Sequence, residues 1–232
     1  MKSRIIIGTA VAVLAVGGAF WLNANSTTPA TSSNGWFGAA MAQSSGTAED
    51  PAAKVDTSGI IEMALGAQDA PITIVEYSSF TCPHCADFHE DVLPKIKKNY
   101  VETGKVRFVY REAYFSKYDL WASLMARCGG EMRYFGITDI LMENQREWLA
   151  DGEPATVVDN LRKIGLTAGM TNESLDACFK DEDQVTALVS WYQENFTRDD
   201  MNSTPSFMIN GEKYSNMGYD ELSKILDAKL AE

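Results

Sequence analysis

An apolar strand that runs into a pair of closely spaced cysteines constrains this chain more than any other feature. The run Ile72-Thr73-Ile74-Val75-Glu76-Tyr77 is β-branched and almost continuously apolar, the pattern of a buried strand. Four residues later comes Cys82-Pro83-His84-Cys85. From there Cys85, Phe88, Val92, Ile96 and Tyr100 recur at spacings of three and four, which is one face of a helix. The cysteines therefore fall at a seam between strand and helix. There the unpaired N–H groups of the first turn and the positive end of the helix dipole favour a thiolate. A thiolate is the nucleophile of thiol–disulfide exchange.

The neighbouring segments extend this unit. Ile60-Ile61-Glu62-Met63 reads as a short first strand, and Lys105 to Tyr110 alternates as a half-buried strand should. Pro94 removes the hydrogen bond to the carbonyl of Glu90, so a kink is expected within the helix after the cysteines. By period-two alternation Glu76 shares a face with Ile72 and Ile74. Its carboxylate then lies either at the strand's exposed end or buried beneath the cysteines.

From about Ser116 to Arg198 the period is helical. One helix carries Leu120, Trp121, Leu124, Met125 and Cys128, and a second runs from Phe135 through Trp148. A third opens on Pro154, a short one carries Leu175, Cys178 and Phe179, and a last one runs from Val185 to Phe196. Strand signals return at Ser206 to Ile209, with an Asn210-Gly211 hairpin turn and a closing helix from Tyr219 to Leu230. Cys128 and Cys178 both lie on apolar helix faces and can meet in the core of this block, as a structural disulfide or as two buried thiols. A bridge closing about 50 residues is worth roughly 4 kcal/mol in the chain-entropy model.

The N-terminal part is different in kind. Lys2 and Arg4 precede an apolar run from Ile5 to Leu22, the layout of an export signal or of a retained membrane anchor at residues 5–22. Either places the remainder outside the cytoplasm, where disulfides persist. Residues 25–58 are rich in Ser, Thr, Ala, Gly and Asn and read as a flexible linker, interrupted by Trp36 and Phe37. The net charge of −12 shows no basic patch and argues against nucleic acid as a partner.

A Cys-x-x-Cys pair can serve redox work, a static disulfide, haem attachment or half a metal site. Haem attachment needs histidine right after the second cysteine, and Ala86 stands there. A zinc site needs more ligands; His89, one turn beyond Cys85, is the one nearby histidine that can join Cys82 and Cys85. The strand–helix seam favours redox chemistry.

Val75 to Cys85 resembles the active-site segment of the DsbA family of periplasmic thiol:disulfide oxidoreductases, with Pro83-His84 as that family's own dipeptide between the cysteines. Thr204-Pro205 resembles the family's cis-proline loop, and the likeness extends over about Gly59 to Leu230. It implies an α/β thioredoxin fold in residues 59–115 and 199–232, with an inserted α-helical subdomain at 116–198. It implies that Cys82 is the exposed nucleophile, held as a thiolate by the helix start and the His84 ring, and that Cys85 is the buried partner that resolves the mixed disulfide. Glu76 matches the family's buried acid and would exchange a proton with Cys85. Without the resemblance Pro205 reads as a strand's first residue or a cis proline; with it, a cis bond is expected. Threonine at 204 differs from the valine of the best-known oxidising members and occurs in isomerase relatives. The expectation is a periplasmic, monomeric dithiol oxidase without a bound cofactor. It would act on reduced or unfolded exported proteins and be reoxidised by a membrane quinone-linked partner. A reductase or isomerase using the same site, and a metal-binding module, are the alternatives.

Overall fold

The computed structural model describes residues 55–232. The expected export segment and anchor, Trp36 and Phe37, and all but the last residues of the linker lie outside the described residues.

The described residues form a five-stranded sheet in the order β1 (Met63–Leu65), β3 (Val106–Glu112), β2 (Ile72–Ser78), β4 (Ser206–Ile209) and β5 (Glu212–Ser215). β2 lies at the centre, parallel to β3 and antiparallel to β4. Ile72, Ile74, Glu76 and Tyr77 on β2 are all buried, which explains its continuous apolar run. The parallel pair needs a crossover, and the segment after the cysteines supplies it. The Asn210-Gly211 turn has positive φ at both residues, 48° and 84°, as the hairpin signal requires. Asn210 also accepts from the Thr73 backbone N–H at 2.8 Å and ties the turn to β2.

β1 begins later than its sequence suggests. Ile60 closes a turn onto the Thr57 carbonyl, Ile61 remains half exposed, and pairing with β3 starts at Met63, opposite Tyr110. The crossover also breaks before Pro94. Helix α1 (Pro83–Asp91) ends at Val92, which stays in the right-handed region but with φ opened to −111° at ψ −52°. Helix α2 (Leu93–Ile96) then starts with Pro94 in its first turn, where the missing N–H is no loss, and a π-helical turn follows over Lys97–Val101.

Between β3 and β4 run α3 (Lys117–Cys128), α4 (Glu131–Glu143), α5 (Gln145–Leu149), α6 (Pro154–Thr167), α7 (Asn172–Phe179) and α8 (Glu182–Arg198). The expected second helix divides into α4 and α5 at Asn144, whose side chain donates back to the Ile140 carbonyl at 2.8 Å. A buried ion pair joins the end of β3 to α3: Arg127 donates to both carboxylate oxygens of Glu112 at 2.7 Å, and Tyr134 of α4 donates to Glu112 Oε1 at 2.6 Å. Cys128 and Cys178, near the ends of α3 and α7, form a disulfide with their Cα atoms 6.1 Å apart. Helix α9 (Tyr219–Lys229) packs Leu222 and Leu226 back into the core. No helix among the described residues is long and apolar enough to cross a membrane.

Candidate active site

Cys82 occupies the position just before α1, in extended geometry, with Pro83 at the first helical position. Its carbonyl accepts from the N–H groups of Cys85 and Ala86, at 3.1 and 3.2 Å, so the helix is seeded at the cysteine itself. The first-turn N–H groups consequently surround its sulfur. Its Sγ is half-buried and donates to the Thr204 carbonyl at 3.4 Å. Thr204 is followed by Pro205 through a cis peptide bond. Both cysteines of the pair are free thiols in this structure.

The two thiols are driven in opposite directions. Cys82 is lowered to about 5, chiefly by a hydrogen bond from the Cys85 thiol, with the Thr204 side chain and the backbone N–H groups of Cys85 and His84 adding to it against partial burial; the bond from Sγ to the Thr204 carbonyl belongs to the protonated thiol. Cys85 is fully buried and pushed far up: by loss of solvent first, then by the Cys82 sulfur it donates to and by the Glu76 charge. The Ser79 backbone N–H, 3.4 Å from Cys85 Sγ, opposes that shift. At neutral pH the stable form of the dithiol is a thiolate on Cys82 and a proton on Cys85.

Glu76 is fully buried, so the second of the two sequence alternatives holds. Its Oε2 lies 3.1 Å from His89 Nε2. Around it, Glu76 Oε1 and His89 Nδ1 have no hydrogen-bond partner among the described residues. Burial and the Glu76 charge push Tyr110 well up, so it remains a neutral phenol. His89 spends Nε2 on Glu76, which separates it from the cysteine pair it was paired with in the zinc reading.

The His84 ring is placed differently from expectation. Its side chain is 76% exposed, with Nδ1 3.6 Å from Asp87 Oδ2, and what reaches Cys82 is the His84 backbone N–H.

Two supporting residues went unnoticed in the sequence, and a third was weighed there only as a metal ligand. Asp119, in the first turn of α3, is fully buried and accepts from Ser79 Oγ, Thr81 N and Thr81 Oγ1 as well as from Phe115 N, Ser116 N and Ser116 Oγ. It fastens the segment that carries Ser79 and leads into Cys82. Gln145 at the start of α5 donates from Nε2 to the carbonyls of Phe80 and Cys82, both at 2.9 Å. His89 is the third. Ser116-x-x-Asp119 is a readable capping box, but its reach to Thr81 spans 38 residues. No local signal marks Gln145.

A thioredoxin family model matches residues 59–228. A Rickettsia bellii chain assigned as a protein-disulfide oxidoreductase is 32% identical over 172 residues, covering 74% of this chain and 65% of that relative. Disulfide bond formation protein D of Bacillus subtilis is 25% identical over 177 residues, 72% of this chain and 76% of that protein. The rickettsial relatives are the longer proteins, and the matched part spans just under two thirds of their length. Among solved structures, Wolbachia pipientis alpha-DsbA1 superposes with a TM-score of 0.68 at 23% identity, over 73% of this chain and 91% of that one. A protein-disulfide isomerase from Novosphingobium aromaticivorans gives a TM-score of 0.67 at 25% identity, over 74% and 98%.

Proposed function

We propose that this chain, which belongs to the thioredoxin family, is a protein thiol:disulfide oxidoreductase that donates the Cys82–Cys85 disulfide to reduced or unfolded exported proteins. The observation that carries this reading is the asymmetry of the pair: Cys82 is half-buried and lowered to about 5, beside a fully buried Cys85 pushed far up. Stabilising the thiolate stabilises the dithiol, and a stabilised dithiol makes its disulfide a stronger oxidant.

The steps follow from electron balance. A substrate thiolate attacks Cys82 Sγ of the disulfide, a substrate–Cys82 bond forms, and Cys85 leaves as a thiolate that must take up a proton. The substrate's second thiolate then attacks its own sulfur in that mixed disulfide. Cys82 leaves as the stabilised thiolate, and two electrons have passed from substrate to protein. Cys85, expected to resolve the mixed disulfide, is therefore not the group that releases oxidised substrate in this half-cycle. Attack by Cys85 on the mixed disulfide returns the substrate reduced, which is the start of the cycle. Cys85 resolves in the other half-cycle, when Cys82 has attacked the disulfide of a reoxidising partner.

Glu76, buried under Cys85, exchanges that proton in both half-cycles. The Thr204-Pro205 loop, with the Thr204 carbonyl at the Cys82 sulfur, presents backbone beside the bond that is exchanged. In this reading the protein works in the periplasm, needs no bound cofactor, and returns its electrons to a membrane quinone-linked partner. Threonine at 204 keeps a second reading in view, a reductase or isomerase that runs the same atoms in reverse.

Equilibration of the pair with glutathione buffers separates the two. As an oxidase the pair stays in the dithiol form even where oxidised glutathione predominates. A pair that turns to disulfide in strongly reducing buffer identifies a reductase.

A further inference from the structure

The proton that Cys85 gains and loses has to cross the protein, because neither Cys85 nor Glu76 touches solvent. The geometry points to His89 as the residue through which Glu76 exchanges that proton with water. This inference rests on the dithiol chemistry proposed above and assigns it a proton route.

Three observations carry it. His89 Nε2, 3.1 Å from Glu76 Oε2, is the one hydrogen-bond partner of that carboxylate among the described residues. The second ring nitrogen, Nδ1, is buried without a partner among the described residues, although a histidine held only for structure would be expected to satisfy both nitrogens. His89 also lines a cleft of about 70 Å³ with Leu93, Pro94, Lys97, Asp139 and Glu143, large enough for water. The imidazole therefore stands between a buried carboxylate and a cleft with room for water, and its two nitrogens allow it to take a proton at one while giving one up at the other.

The balance is one proton in and one out per turnover. When the Cys82–Cys85 bond breaks, the Cys85 thiolate takes up a proton that enters from the cleft by His89 and passes through Glu76, leaving Glu76 ionised. When Cys85 later attacks a Cys82 mixed disulfide, its proton passes to the ionised Glu76 and leaves by His89, leaving Glu76 ionised again. The titratable groups nearest His89 are Glu76 on β2, Tyr110 on β3 with its ring perpendicular at 5.5 Å, and Cys85 one turn earlier on its own helix. Lys97 and Asp139, themselves paired at 3.1 Å, and Glu143 stand at the cleft. His89 acts through Glu76 and does not touch the reacting sulfur, so it is a positioning and relay residue.

The test is single-turnover oxidation of the reduced full chain by oxidised glutathione across a range of pH, in wild type, His89→Gln and Glu76→Gln. Glutamine keeps a polar atom toward Glu76 but cannot pass a proton. We expect His89→Gln to slow release of the Cys82–glutathione adduct about tenfold, below the roughly 10²–10⁴ of a lost direct base. It should also flatten the pH profile of that step, leave the alkylation rate of Cys82 unchanged, and add nothing on top of Glu76→Gln. Superimposable pH profiles for His89→Gln and wild type overturn the relay. Should the variant fold poorly, as an altered Cys82 alkylation rate would reveal, ring-nitrogen NMR of the unaltered protein decides. The His89 ring N–H must exchange with solvent within the time of one turnover, and a ring proton protected for longer overturns the proposal. A wild-type chain that never exchanges with glutathione sinks the dithiol reading itself, a result distinct from either.

Discussion

At the scale of single residues the chemistry rests on one sulfur held ionised and another held protonated. The Cys82 pKa lies at about 5 in the fold, against roughly 8.5 for an unperturbed thiol. A depressed pKa of this kind adds stability that is complete above the unfolded value and is lost as pH falls through the folded one. The reduced protein should accordingly unfold at higher urea than the oxidised protein at neutral pH. That margin should shrink as pH drops toward about 5. A margin that stays flat over this range contradicts the thiolate assignment. Cys85 stays protonated throughout and contributes no slope. Its role shows in trapping: Cys85→Ala treated with oxidised glutathione should hold the adduct on Cys82, seen by mass spectrometry, whereas wild type discharges it. Cys82→Ser should take up no glutathione at the site.

At the scale of elements, the active-site segment is held from outside by the helical block. Asp119 sits at the third position of α3 and completes a capping box with Ser116, yet the same carboxylate also receives Ser79 and Thr81. Replacing it with alanine leaves several buried donors without an acceptor. Each hydrogen bond to a charged group contributes roughly 1.5–3 kcal/mol, and the loss for Asp119→Ala should reach about 3 kcal/mol in urea unfolding. Because Ser79 N–H contacts Cys85 Sγ, the same change should alter the redox potential, which a cap of purely local effect would leave alone. Gln145 ties α5 to the Cys82 carbonyl in the same manner. The break at Val92 has a function of place as well: it lets α2 and the π-helical turn begin a new direction, and the cleft beside His89 is lined by Leu93, Pro94 and Lys97 from that turned segment.

At the scale of the whole molecule, one hydrophobic core runs from the sheet into the helices, with Phe80, Tyr110, Tyr134 and Trp148 all fully buried in it. The Glu112–Arg127 pair and the Cys128–Cys178 bridge fix the helices to each other and to β3. The bridge closes a separation of 50 residues. Cys128→Ala with Cys178→Ala should cost about 4 kcal/mol of stability, less any residual structure in the unfolded chain. It should leave the alkylation rate of Cys82 unaltered, since the bridge makes no contact with the Cys82–Cys85 pair. A loss of Cys82 reactivity with full stability would reverse that division of roles.

The sequence by itself determined the central strand, the helix start on Cys82, the hairpin at Asn210-Gly211 and the helical run between β3 and β4. Each is written in local periodicity or in turn residues whose backbone demands are their own. It placed β1 too early, because Ile60 closes a turn onto the Thr57 carbonyl and the Ile61 carbonyl accepts from Arg127, so pairing with β3 starts only at Met63. It also set the His84 ring beside the sulfur, because adjacency along a chain does not say which way a side chain turns. The residues alone left open whether Glu76 is buried and where Thr204 lies, which the family resemblance implied and the fold shows, with Thr204 meeting Cys82 across 122 residues; tertiary structure alone decided that Asp119 and Gln145 hold the segment before Cys82 and that His89 pairs with Glu76. These depend on side chains satisfying one another's hydrogen bonds in a space from which water is excluded, and that space exists only once the sheet and helices have packed.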